Sequence, residues 1–156
     1  MAQGTLTVFS DFMVAFLEAK MDLETAALKV AFVSDSQATW TKATADPRWG
    51  AGGTTNLSTN EVSGTNYTAG GNAAANPSVT ETGNVATYDA DDPATWVQHA
   101  SGPTNIKTAI LYIDDANDYA IGFIDMTTDS GTTPLSLVDG DITVQFGASG
   151  IFTITN

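Results

Sequence analysis

The chain contains no cysteine. Disulfide scaffolding, thiolate zinc sites, iron–sulfur clusters and cysteine nucleophiles are thereby excluded, and the redox compartment is left open. Basic residues are scarce: 5 Lys and Arg stand against 18 Asp and Glu, a net charge of −13 at pH 7. Such a chain repels a phosphate backbone and an anionic lipid surface, so neither nucleic acid nor membrane is an expected partner. Its single histidine, His99, lies in QHASGPTN, which reads as a loop after a strand. No second imidazole is present to serve a hydroxyl nucleophile elsewhere. HExxH, GxxxxGKS/T, GxSxG and a strand-following GxGxxG are all missing, and no spacing singles out a carboxylate pair for glycosidase chemistry. No enzyme and no cofactor are expected. Long apolar runs are also missing. The opening MAQGTLTVFSDFMVAFLEAK has no basic leader and is broken by Asp11 and Glu18, so neither a secretory signal nor a membrane span is expected there.

What is present suits a folded β domain. A chain of 156 residues fits one domain, 1–156, and buries roughly 70% of its unfolded surface. Its 42% hydrophobic and 15% charged residues supply a core and argue against general disorder. The 14 glycines and abundant threonine point to strands and turns.

One helical signal stands out. Phe9, Phe12, Met13, Phe16 and Leu17 recur at helical spacing, which makes one apolar stripe, with Ser10 placed to act as N-cap and Asp11 in the first turn. The stripe either packs on a sheet or docks a partner. From Leu28 to Val33 the pattern becomes β, ending at Ser34-Asp35-Ser36. Residues 36–77 hold few apolar runs and two small-residue patches, Gly50 to Asn56 and Ala69 to Pro77. Within them, 36–60 reads as an extended loop or arm. Trp40 and Trp49 there must bury under the loop or against another subunit, and Trp40, Arg48 and Trp49, with Phe12 and Phe16, are the candidate partner-interface residues. Their combined apolar surface suggests a dimer or trimer.

Beyond residue 78 the chain reads as short strands separated by turns: 78–80, 85–88, 95–98, 106–112, 120–125, 142–146 and 151–154. That spacing predicts a mainly β protein, a jelly-roll-like β-sandwich with one short N-terminal helix. Two acidic groups, Asp89, Asp91, Asp92 and Asp114, Asp115, Asp118, place hard oxygen ligands on turns. Neither follows the EF-hand order, so no metal is expected. Solvated turns are the first reading, and calcium at Asp114, Asp115 and Asp118 is the lesser one.

Five separated runs, DLETAALKVAFVSDS, EVSGTNYTAGG, YDADDPATW, KTAILYIDDANDYAIGFIDM and DGDITVQFGASGIFTI, carry a resemblance over residues 6–156. In order and wording they resemble a family of small virion structural proteins of tailed bacteriophages, similar to capsid cement or decoration proteins. The resemblance implies a jelly-roll-like sandwich on the outer capsid surface of the virion, assembled in the host bacterial cytoplasm and bridging subunits of the phage major capsid protein. It also implies fold-maintaining roles for Gly64, Gly70, Gly71, Trp96, Tyr112 and Gly150. The stretch TWTKATADPRWGAGGTTNL is longer and richer in Trp than the family pattern, and Asn66 stands where glycine is usual. The alternatives are a tail or head-fibre adhesin that binds host glycan through exposed Trp and Asp-rich loops, and a tail-tube or connector subunit.

Overall fold

The computed structural model describes residues 4–129 and 132–155. Over that span the chain is mainly β, with one α-helix, α1, at Ser10–Leu17. The strands are β1 Thr7–Val8, β2 Ala27–Val33, β3 Pro47–Arg48, β4 Thr55–Asn56, β5 Asn72–Ala74, β6 Ser78–Thr82, β7 Val85–Asp89, β8 Thr108–Asp114, β9 Ala120–Asp125 and β10 Phe152–Thr155. They form an antiparallel sheet in the order β1-β9-β8-β2-β5, an antiparallel sheet β10-β7-β6, and a short parallel pair β3-β4.

The central strand, β8, is buried from Thr108 to Ile113, so both faces of the large sheet are covered. Alternation assigns the faces. Leu28, Val30 and Phe32 of β2 share one face with Leu111 and Ile113, and Trp96 lies against Phe32 there with ring centroids 4.4 Å apart. On the opposite face lie Lys29, Ala31, Ile110, Tyr112 and Phe123. Segment 36–60 covers that second face: Trp40 packs on Phe123 at 6.1 Å and Trp49 stacks on Tyr112 at 5.0 Å.

The arm expected over 36–60 is therefore corrected. Short 3-10 turns at Gln37–Thr39 and Leu57–Asn60 and the β3-β4 ladder order the segment internally, and the Trp49 N–H bonded to the Asp118 carbonyl at 2.9 Å and the Lys42 carbonyl bonded to the Ser10 N–H at 2.8 Å hold it against the body. The physical reason is the bare apolar face. An indole gains about 25 cal/mol per Å2 of apolar surface withdrawn from water, and the large sheet offers that surface within reach.

Two expected strands, 95–98 and 142–146, are reduced to one bridge, in which Trp96 and Ile142 exchange two N–H···O bonds of 2.9 Å. Carboxylates take the N–H groups a longer ladder would use: Asp141 accepts from Gln98 and Asp92 from Phe146, both at 2.7 Å. The side-chain alternation survives without the ladder, since Ile142 and Val144 are buried and Phe146 is partly so.

Helix α1 sits where the periodicity placed it, with two differences. Phe9, not Ser10, is the N-cap residue, no side chain caps the helix, and the Ser10 N–H bonds to the Lys42 carbonyl at 2.8 Å. Phe12 and Ala15 form the buried face, whereas Leu17 is 78% exposed and falls outside the stripe. Two glycines hold the turns. A Cβ on Gly71, at φ +76°, would run into the Val30 carbonyl, and one on Gly150, at φ +83°, would meet Thr87 and the Tyr88 carbonyl. Asn66 takes φ +62°, the left-handed conformation that Asn tolerates better than most residues.

A candidate interaction surface

The acidic turns are engaged one carboxylate at a time. Asp114 pairs with Lys29 at 2.8 Å across β8 and β2. Asp115 accepts the Asn117 and Asp118 N–H groups at 2.7 and 3.0 Å, closing its own turn. Partial burial, then the charges of Asp114 and Asp115, push the Asp118 carboxyl above the usual carboxylate range. In the other group, Asp91 accepts from the Asn76 amide at 2.6 Å and Asp92 from the Phe146 N–H. Among the described residues no three His, Asp or Glu converge as metal ligands. His99 shapes a turn: its Nδ1 accepts the Ser101 N–H at 3.0 Å and its carbonyl accepts that of Gly102.

The candidate interface residues separate into internal and peripheral ones. Phe12, 1% exposed, lies edge-on to Phe152 at 5.7 Å, and Trp40 and Trp49 are 9% and 7% exposed. These three spend their surface inside the chain, which removes the ground on which a dimer or trimer was expected. Arg48 is also committed. Its guanidinium sits 4.1 Å over the Tyr119 ring, pairs with Asp46 at 2.9 Å and donates to the Asn117 carbonyl at 3.1 Å, fastening β3 to the 115–119 turn. Only Phe16 remains half open, at the rim of α1.

A polar network missed by the sequence reading stabilises the 61–70 loop. The Tyr67 hydroxyl accepts the Phe32 N–H at 2.9 Å and donates to Glu61 at 3.0 Å. Glu61 also accepts the Gly70 N–H, and the Tyr112 hydroxyl donates to the Gly70 carbonyl at 2.8 Å. Burial raises both phenols well above the ordinary tyrosine value, so they stay protonated donors. The resemblance implies structural roles for Gly70 and Tyr112, but no spacing rule joins Glu61 to Tyr67 or Gly70 to Tyr112, so the bonds themselves were not legible in the sequence.

The surface that the core leaves open is the β10-β7-β6 sheet. Register places Val79, Tyr88 and Phe152 on one rung and Glu81, Ala86 and Ile154 on another, all on one face. Phe16 and Leu23 meet that face along a seam with a half-open cavity of about 40 Å3. Val79 and Ile154 line it too and are each 41% exposed, and every residue of β6 is exposed. The other face is mostly polar, with Ser78, Thr80, Thr82, Thr87, Asp89, Thr153 and Thr155 beside the single Val85. An exposed strand at a sheet edge, the exposed Val79 and Ile154 and a nearby apolar helix end make a surface suited to binding protein. Compared with family models, characterised proteins and solved structures, the chain matches none of them.

Proposed function

We propose that this chain is a structural protein of a tailed-bacteriophage particle: a decoration protein that binds the outside of the head shell and braces it by bridging major capsid protein subunits. The five sequence runs support that family, and their placement is consistent with a scaffold role. Gly71 and Gly150 sit at tight approaches, Trp96 is packed on Phe32, and Tyr112 is clamped between Trp49 and Gly70. The five- and three-stranded sheets, joined by one continuous hydrophobic core, are read as the two layers of a jelly-roll-like sandwich.

One observation carries the reading. The core is closed over both faces of the large sheet, while the small sheet keeps an exposed edge strand, β6, and leaves Val79 and Ile154 open for another protein. A clamp needs this combination of a rigid body and an interaction edge. The adhesin alternative required exposed tryptophan, and all three indoles are 9% exposed or less. The deciding experiment is to locate the protein in a density map of purified particles and measure its copy number. Density on the outer shell at a copy number comparable with the major capsid protein is expected. Density confined to the tail or tail tip overturns the proposal.

A further inference from the structure

The β6-β7 hairpin determines which backbone groups of β6 are available. Thr82 and Val85 flank the two-residue turn Gly83-Asn84, with Gly83 at φ +64° as its first residue, so Thr82 and Val85 form a hydrogen-bonded pair. Antiparallel alternation then makes Thr80↔Thr87 and Ser78↔Asp89 hydrogen-bonded pairs as well. Val79 and Glu81 are left with their N–H and C=O groups directed away from β7, on the outer edge of the sheet order β10-β7-β6. Both side chains lie on the apolar face, next to Tyr88, Ala86, Phe152 and Ile154.

Charge selects the occupant. Between Arg48 and Lys107 there is no Lys or Arg, while Glu61, Glu81, Asp89, Asp91 and Asp92 all lie in that stretch. Elsewhere Lys20, Lys29 and Arg48 are already paired with Glu18, Asp114 and Asp46. A second copy brought edge to edge along β6 adds another −13 of charge and has no cation in the strand to set against Glu81. A strand with Lys or Arg opposite Glu81 gains a cross-strand pair instead.

We infer that the outer edge of β6 receives an extended, basic segment of a partner protein by strand addition. Such a segment alternates Lys or Arg and small apolar residues on the side facing Glu81 and Val79 with polar residues on the other. Backbone pairing to Val79 and Glu81 supplies affinity, and the Glu81 carboxylate supplies selection. This deepens the reading above and rests on it for the partner's being a shell protein.

The test titrates the full chain, followed by nuclear magnetic resonance and amide hydrogen exchange, with the synthetic peptide Thr-Lys-Thr-Val-Thr-Lys-Thr. Its Lys→Glu counterpart and a copy N-methylated on alternate amides serve as controls. Expected are slowed exchange and shifted resonances at Val79 and Glu81 with the Lys peptide, binding about fivefold weaker for the Glu peptide, and loss on N-methylation. Glu81→Lys should reverse the order of the two charged peptides. Val79→Pro, which removes an outward N–H that β7 does not use, should abolish binding and keep the fold. Equal binding of both charged peptides, binding that survives N-methylation, or no binding overturns the inference. So does protection of the same amides that grows with protein concentration alone, which would assign the edge to a second copy. Because no particle is used, peptide binding without attachment to heads removes the shell reading and keeps the edge; attachment without peptide binding does the reverse.

Discussion

The Trp49 indole lies stacked on the Tyr112 ring, with centroids 5.0 Å apart and planes 16° from parallel. This contact joins the segment that covers the large sheet to its central strand, and Trp49 is 7% exposed within it. Trp49→Ala should therefore cost stability, by about 3–5 kcal/mol, as expected for deleting a large buried aromatic. Thermal or urea unfolding of the purified variant measures it. An unchanged midpoint would mean that the indole does not close the core.

Tyr67→Phe keeps the ring against Phe32 but deletes the hydroxyl that accepts the Phe32 N–H and donates to Glu61. Leaving a buried N–H without its acceptor costs about 1–3 kcal/mol. The variant should show a lower urea midpoint and faster hydrogen exchange at the Phe32 amide. Exchange there at the wild-type rate would count against the network.

Asp118 has a carboxyl raised above its ordinary value by partial burial and by Asp114 and Asp115. In the window between the ordinary and the raised value the folded chain binds more protons than the unfolded one, so this residue's contribution falls as pH rises through that window. Above it the ionised form is penalised in the fold. Asp118→Asn removes the charge, and Asn suits the residue's φ of +52°. The variant should melt higher than wild type at pH 7, with the advantage vanishing in acid. Identical melting curves at every pH would refute the assignment. Asp22 and Asp129 act in the opposite sense: hydrogen bonds from Thr25 and Thr133 lower their carboxyls, and that stabilisation is lost as pH falls.

Leu17, 78% exposed at the end of α1, touches little of its own chain. Leu17→Asp should leave stability within about 0.5 kcal/mol of wild type. If the exposed helix end beside the small sheet also takes part in docking, the same change should lower occupancy on particles. Undiminished occupancy would confine docking to the β6 edge.

Local pattern was sufficient for several elements. The Phe9–Phe16 spacing marks α1, the alternation from Leu28 to Phe32 marks β2, and short β-rich runs between turn residues mark the segments that become β7, β8 and β9, although β8 and most of β9 are buried on both faces and show no period-two burial. Alternation at 142–146 foretold which side chains are buried but not whether a ladder forms. That depends on which groups take the backbone N–H donors, and Asp92 and Asp141 come from distant positions to take them.

The sequence by itself determined the acidity, the absence of thiol chemistry, the mainly β character and the place of the one helix, all of which follow from composition or from contacts within a few residues. Tertiary structure alone decided the rest. Trp40 and Trp49 could have docked on a neighbour or closed the chain's own core, and the outcome turned on a bare sheet face whose contact residues, Phe123 and Tyr112, lie 83 and 63 residues further along. The Glu61–Tyr67 and Gly70–Tyr112 bonds, the separate engagement of Asp114, Asp115 and Asp118, and the open edge of β6 likewise depend on which segments become neighbours in space. Burial and hydrogen bonding reward proximity, and proximity between distant segments is a property of the folded chain that no local period encodes.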